Sequence, residues 1–342
     1  MNTACIPASA PGAVARAAAL IRAGELVGFP TETVYGLGAN ALDGEAVRSI
    51  FAAKGRPADN PLIAHIAHLG QLPLVAQMVP PLAWRLMAAF WPGPLTLLLP
   101  RAEGVPDVTT AGLSTVGVRM PAHPVARALI AKSGLPIAAP SGNRSGAPSP
   151  TRAAHMLADM DGRIPLILDG GPCSVGVEST VVDATGERPV VLRPGGVTVE
   201  MLQRVAGRVD LAGSILRPLA EGETAASPGM KYKHYAPRAQ VTIYQGAPER
   251  VRAAMLARLA AQPGGGALYF QEDAAAFAPY SGLSLGSRAH VEQMAARLFD
   301  ALRRADELGW AYVLAPAVGT DGMGLAVMNR MGRAAAFDIQ RV

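Results

Sequence analysis

The sequence predicts an α/β protein built in two units, and three observations carry the prediction. Short apolar runs of strand length alternate with helical stretches from residue 11 to about residue 206. The same alternation resumes from Gln240 to Val342. Between them, over 207–239, proline and glycine interrupt every period, as at Gly213, Pro218, Gly222, Ser227-Pro-Gly229 and Pro237. The boundaries read from this are 1–206, a connecting segment at 207–239, and 240–342.

Each element has its own justification. Helical periodicity runs from Val14 to Ala23, and the apolar run Leu26 to Phe29 ends directly at Pro30. A helix over Gly44 to Ala53 leads into Lys54, with Pro57 expected to stop it. Buried strands are expected at Leu62–Ile66, Leu95–Leu99, Val116–Arg119, Ile137–Pro140, Leu166–Leu168, Thr180–Val182 and Val190–Leu192. Helices at about 123–132, 151–159 and 198–206 separate some of them, so the sheet should be mixed and twisted. In the second unit, strands at 240–244, 267–270 and 311–314 alternate with helices at 248–261, 289–308 and 322–335. This reads as a small Rossmann-like domain. Gly264-Gly-Gly266 precedes a strand instead of opening a helix, so it fails the test for a dinucleotide loop.

Composition excludes several classes. The 342 residues are 50% hydrophobic and 17% charged, with a net charge of +5. The basic residues are scattered, which argues against a nucleic-acid arm. Two cysteines, Cys5 and Cys173, show no metal or disulfide spacing. No apolar stretch approaches the ~18 residues of a membrane span, and an amphipathic N-terminal helix replaces a signal peptide. A cytoplasmic protein is expected. No Walker A or GxSxG sequence occurs. His65 and His68, three apart on a strand, would point to opposite faces and could not share an ion.

Against this background three polar clusters stand out: Pro30-Thr-Glu-Thr-Val-Tyr-Gly-Leu-Gly38, Lys54-Gly-Arg-Pro-Ala-Asp-Asn60 and Ser141-Gly-Asn143. They fall at strand ends, where α/β folds carry ligands. Only four lysines occur among 31 basic residues, and one of them is Lys54. Lys54 and Arg56, so close together, suit a bridging polyphosphate or, alternatively, a solvated helix end. The loop Ala139 to Ser149 could form an anion nest at the start of the helix that follows, or be an ordinary capped loop. Arg119, closing an apolar strand, needs an anion: a ligand carboxylate, Glu32 or Glu178.

Together PTETVYGLGANA, KGRPADNPLIAHI, WPGPLTLLL, VGVRMPAHP, APSGNRSGAPSPT, GVESTVVD and LRPGG resemble the YrdC-like threonylcarbamoyl-AMP synthases. SPGMKYKHYAP resembles the linker of the long, two-domain form. The resemblance implies a YrdC-like catalytic domain at 1–206, a linker that closes over the active site at 207–239, and a Rossmann-like C-terminal domain. It implies the reaction of L-threonine, bicarbonate (or CO2) and ATP to L-threonylcarbamoyl adenylate and pyrophosphate. The product serves the N6-threonylcarbamoyladenosine modification of tRNA next to the anticodon, through a separate transferase complex, so no tight tRNA contact is expected. Threonine binding is implied for Thr31, Thr33, His65, Arg119, Ala139 and Ser179. ATP binding is implied for Lys54, Arg56, Asn60, Thr115, Ser141, Asn143, Ser149, Arg193 and Tyr235. Lys54, Arg56, Ser141 and Asn143 form the family's catalytic signature. Mg2+ is expected on the nucleotide phosphates, without a dedicated protein site. Two other readings are a carbamoyl-adenylate-forming enzyme of metal-centre maturation and an RNA-binding module. The lysines Lys231 and Lys233, flanking Tyr232, would belong to the lid with Tyr235.

Overall fold

A computed structural model describes residues 2–215 and 235–342. The elements of the first unit are β1 (Ala4–Pro7), α1 (Ala13–Arg22), β2 (Val27–Phe29), β3 (Gly36–Asn40), α2 (Gly44–Lys54), β4 (Ile63–His65), α3 (Pro81–Phe90), β5 (Leu95–Pro100), α4 (Asp107–Thr110), β6 (Thr115–Arg119), α5 (Pro124–Ser133), β7 (Ile137–Ala138), α6 (Ala153–Met160), β8 (Leu166–Asp169), β9 (Thr180–Asp183), β10 (Val190–Arg193), α7 (Val199–Ala206) and β11 (Asp210–Leu211). The second unit holds β12 (Gln240–Gln245), α8 (Pro248–Ala261), β13 (Gly266–Tyr269), α9 (Ala274–Phe277), β14 (Gly282–Ser284), α10 (Val291–Glu307), β15 (Tyr312–Pro316), α11 (Gly324–Ala334) and β16 (Ile339–Arg341).

Among the described residues the first unit forms an eleven-stranded mixed sheet, ordered β1-β8-β2-β3-β7-β4-β6-β5-β9-β10-β11. The second forms a five-stranded sheet, β14-β13-β15-β12-β16, in which every neighbouring pair is parallel. Apolar residues of α2, α3 and the central strands build the main core of the first unit. A second core joins α10 and α11 to β12 and β15, and it takes in Val34 and Val177 from the first unit. The two units therefore share apolar packing where the polar loops meet.

Several local expectations need correction. β3 was not foreseen, because it lies inside the glycine-rich first cluster. Gly38 faces the Phe29 ring and Ile137, where a Cβ would collide. α2 stops at Gly55, left-handed at φ 63°, before Pro57 is reached. β4 ends at His65, so His68 lies beyond it and is exposed. The first sheet continues past residue 206, since β11 pairs in parallel with β10. Among the described residues no helix is long and apolar enough to cross a membrane.

Candidate active site

The centre of the large sheet fixes the first half of the site. β4 and β6 run parallel with His65 opposite Arg119, and β4 pairs with β7, whose chain continues into Ala139. Arg119 is 4% exposed. Its Nη2 donates to Glu32 Oε1 at 2.6 Å, its Nη1 to Thr33 Oγ1 at 2.9 Å and its Nε to the Gly93 carbonyl at 3.3 Å. A guanidinium has five N–H groups, so these contacts leave two for a ligand. Glu32 is thus the structural partner of Arg119. Burial would raise the Glu32 carboxyl, but the Arg119 charge and hydrogen bond prevail and hold it below its usual range.

Thr31 shapes the same turn. Its Oγ1 donates to the Val34 carbonyl at 2.6 Å, accepts from the Thr33 and Val34 amides, and lies 2.8 Å from Thr33 Oγ1. His65 Nδ1 sits 3.0 Å from the Ile63 carbonyl, which can only accept, so Nδ1 carries the proton. Burial, and then the Arg119 charge, push His65 down to about 3. It is neutral at physiological pH.

The second half forms where α2 meets the Ser141 loop. Lys54 Nζ donates to the carbonyls of Ser141 (2.5 Å) and Asn143 (2.6 Å). Burial, and then the neighbouring Arg56, lower its pKa to about 7. Of the two readings of this loop, the bonding favours an ordinary loop over an anion nest. Gly142 and Ser145 donate their amides to the carbonyls of Tyr35 and Lys54, so the loop meets the lysine with carbonyls. Nor does the first turn of α6 line the cavity. Asn143 Nδ2 donates to the Arg144 and Ala147 carbonyls, both at 2.8 Å. Among the described residues its buried Oδ1 has no hydrogen-bond partner, which marks it as an acceptor available to a ligand.

The third wall comes from the loop before β9. Ser179 Oγ lies 2.8 Å from Thr96 Oγ1, and its carbonyl accepts from Arg193 Nη2 at 2.9 Å. Burial lowers Arg193 to about 10. Glu178 Oε1 accepts from Ser149 Oγ at 2.5 Å, and Oε2 from Arg330 Nε at 2.8 Å. Tyr235, buried and left-handed at φ 65°, packs on Phe299 with ring centres 5.2 Å apart. Lys231, Tyr232 and Lys233 lie outside the described residues.

One cavity collects these walls. Thr31, Thr33, Lys54, Arg56, His65, Arg119, Ala139, Ser141, Asn143, Ser179, Arg193 and Tyr235 all line it. Asn60, Thr115 and Ser149 do not. Asn60 is fully buried beside Asp59, Thr115 borders a separate small depression, and Ser149 is held by Glu178. Sequence reasoning missed Glu178 as a wall of the cavity and Arg330 behind it. The available signal was Arg330 and Arg333 on an otherwise apolar stretch, spaced to share a helix face.

Among the described residues, four cations and one carboxylate line the cavity, so fold and site define a two-domain α/β protein built to hold anionic ligands together. Residues 19–195 match the Sua5/YciO/YrdC family, described as "Telomere recombination", and residues 197–336 match "Threonylcarbamoyl-AMP synthase, C-terminal domain". The threonylcarbamoyl-AMP synthase of Bacillus subtilis (strain 168) is 49% identical over 332 residues, covering 96% of this chain and 94% of that one. That of Pyrococcus abyssi is 49% identical over 326 residues, covering 95% of each. Pyrococcus abyssi Sua5 solved with L-threonine superposes with a TM-score of 0.90 at 47% identity, covering 96% of both chains. A double variant of the same Sua5 gives 0.92 at 45% identity, covering 99% of this chain and 98% of the other. The chain belongs to the threonylcarbamoyl-AMP synthase family, in its two-domain form.

Proposed function

We infer that this chain joins L-threonine, bicarbonate or CO2, and ATP into L-threonylcarbamoyl adenylate and pyrophosphate. The observation that carries the reading is the single cavity with Arg119, Thr33 and His65 at one end and Lys54, Arg56 and Asn143 at the other. The threonine nitrogen forms a bond to CO2 and loses a proton. A carbamate oxygen then attacks the α-phosphorus, and the bond to pyrophosphate breaks. No protein nucleophile is needed. Cys173, near this end, is pushed up to about 12 by burial and stays a thiol.

The work left to the protein is positioning and charge stabilisation. The two remaining N–H groups of Arg119 suit the threonine carboxylate as a fork. Lys54 and Arg56 neutralise phosphate charge, and Asn143 Oδ1 accepts from the nucleotide. Mg2+ fits only as a companion of the nucleotide. Glu178, the one carboxylate on the cavity wall among the described residues, already accepts from Arg330 and Ser149. Among the described residues no three His, Cys, Asp or Glu side chains form a metal cage. On the phosphates, Mg2+ would shield charge that Lys54 and Arg56 leave uncompensated. The adenylate would pass to a separate tRNA-modifying transferase.

The test is ATP–pyrophosphate exchange. Exchange that requires both threonine and bicarbonate supports the reading. Exchange indifferent to threonine, alongside salt-sensitive RNA binding, overturns it.

A further inference from the structure

Helix α11 is buried along its whole length and packs residues into the cores of both units. It carries Arg330, the largest side chain with no exposed surface among the described residues. Arg330 makes few bonds to its own unit. Nε donates to Glu178 Oε2 at 2.8 Å and Nη1 to the Pro194 carbonyl at 2.6 Å. Its guanidinium stands 5.8 Å from the centre of the Tyr235 ring. Glu178 and Tyr235 line the cavity, and Pro194 follows Arg193, which lines it too.

The contacts continue in both directions. Glu178 passes the connection to Ser149 at the end of the Ser141 loop, whose carbonyls hold Lys54. On α11 itself, Asn329 Nδ2 donates to the Ile215 carbonyl at 2.5 Å and Arg333 Nη2 to that of Ser214 at 3.3 Å. One helix of the C-terminal unit thus grips a cavity wall and the first part of the connecting segment. Phe299 of α10 supplies the surface on which Tyr235 lies.

A buried ion pair is a poor adhesive, because desolvation offsets most of its attraction. Apolar residues would dock the two units as firmly. What the Arg330–Glu178 pair adds is fixed geometry for a carboxylate at the cavity. We propose that Arg330 is a positioning residue of the adenylation site, supplied by the C-terminal domain, which sets Glu178 and Tyr235 for the nucleotide and so couples nucleotide binding to domain docking. This rests on the function inferred above. Arg119, Thr33 and His65 share no hydrogen-bond partner with Arg330, so the threonine end should be spared.

The test is a double-mutant cycle on the full chain, reading the Kd of a non-hydrolysable ATP analogue, the Kd of threonine and the unfolding midpoint. Arg330→Met and Glu178→Gln should each weaken the ATP analogue at least tenfold and leave the threonine Kd within about twofold. The double variant should regain unfolding midpoint, because no uncompensated charge stays buried, yet bind the analogue no worse than either single variant. Arg330→Lys, which keeps the charge without the fork, should fall between wild type and Arg330→Met. Two outcomes overturn the proposal: an unchanged analogue Kd in Arg330→Met, or losses that multiply in the double variant. Should Arg330→Met fail to fold, hydrogen exchange on the wild type decides. The analogue should slow exchange in α11, and unaltered exchange there refutes the coupling. These binding readouts need no turnover, so a wild type without threonine-dependent exchange would sink the function while leaving the positioning role to be judged on its own.

Discussion

Raising the pH from 7 to 9 should release the nucleotide. Lys54 is 4% exposed, and burial first, Arg56 second, bring its ammonium from 10.5 down to about 7. A triphosphate beside Nζ favours the charged form, so the bound protein keeps its proton well above that value. The free protein must then be protonated to bind, and its apparent affinity scales with the protonated fraction. That fraction is about one half at pH 7 and about one hundredth at pH 9, so the Kd of a non-hydrolysable ATP analogue should rise about fifty-fold. The sign is fixed by the chemistry: a lysine loses charge as pH rises, and affinity falls with it. Titration calorimetry at pH 7, 8 and 9 measures the slope. Repeating pH 8 in buffers of different ionisation enthalpy counts the proton taken up, about 0.9 per nucleotide. Lys54→Met should bind more weakly but with no slope over this range. A flat wild-type profile, or the same slope in Lys54→Met, refutes the reasoning. For the fold the same depression acts in the other direction. Between about 7 and 10.5 the unfolded chain holds the Lys54 proton and the folded chain does not, so this group's contribution to stability rises with pH.

Three further outcomes follow from the geometry. Arg119→Lys keeps the charge but gives up the fork, and should raise the threonine KM about tenfold to over a hundredfold, at about 1.5–3 kcal/mol per charge-assisted bond, while the ATP KM holds; an unaltered threonine KM contradicts the assignment. His65 stays neutral in the fold down to about 3 but protonates at 6.5 when unfolded, so stability must fall as pH drops below 6.5. By pH 5 denaturant titration should show wild type losing about 2 kcal/mol more than His65→Asn, and equal losses would count against a buried neutral histidine. Gly176 is left-handed at φ 77°, and a Cβ there would overlap the backbone of Ala296 in α10. Gly176→Ala should lower the melting temperature, with more than about 1 kcal/mol from backbone strain alone, whereas an unmoved melting temperature would show that the two units are not packed this closely.

The part of the cavity around Arg119 was legible because its residues sit beside strand positions that apolar runs disclose. The runs ending at Ile66 and Arg119 foretold strands, and their parallel register is what sets His65 against Arg119. Lys54 stood out by rarity, and the structure gives that rarity a reason, since a single compact ammonium fits between two carbonyls. What the sequence hid has physical causes. β3 is made of Gly36-Leu-Gly-Ala-Asn40, whose glycines lower strand propensity while meeting the need for close packing on Phe29. The Glu32–Arg119 and Glu178–Arg330 pairs join residues 87 and 152 positions apart. Periodicity carries no information about such partners, so Glu178 could be offered only as an alternative for Arg119.

The charge arrangement links these pieces. Lys54, Arg56, Arg119 and Arg193 converge on a cavity whose wall, among the described residues, offers only Glu178 in return, and Glu178 is shared with Arg330. Burial, and after it the neighbouring cations, depress both Lys54 and Arg193. Crowding buried like charges together carries a cost. A triphosphate and a carboxylate are the counter-ions that relieve it, and the relief is greatest where negative charge grows on the phosphorus oxygens during attack. Donors already fixed by Glu32, Ser141, Asn143 and Ser179 need little reorientation at that moment. The C-terminal domain enters the same account through Arg330. Without it Glu178 would be a buried carboxylate beside the incoming phosphates, repelling the ligand that the other side chains are placed to hold.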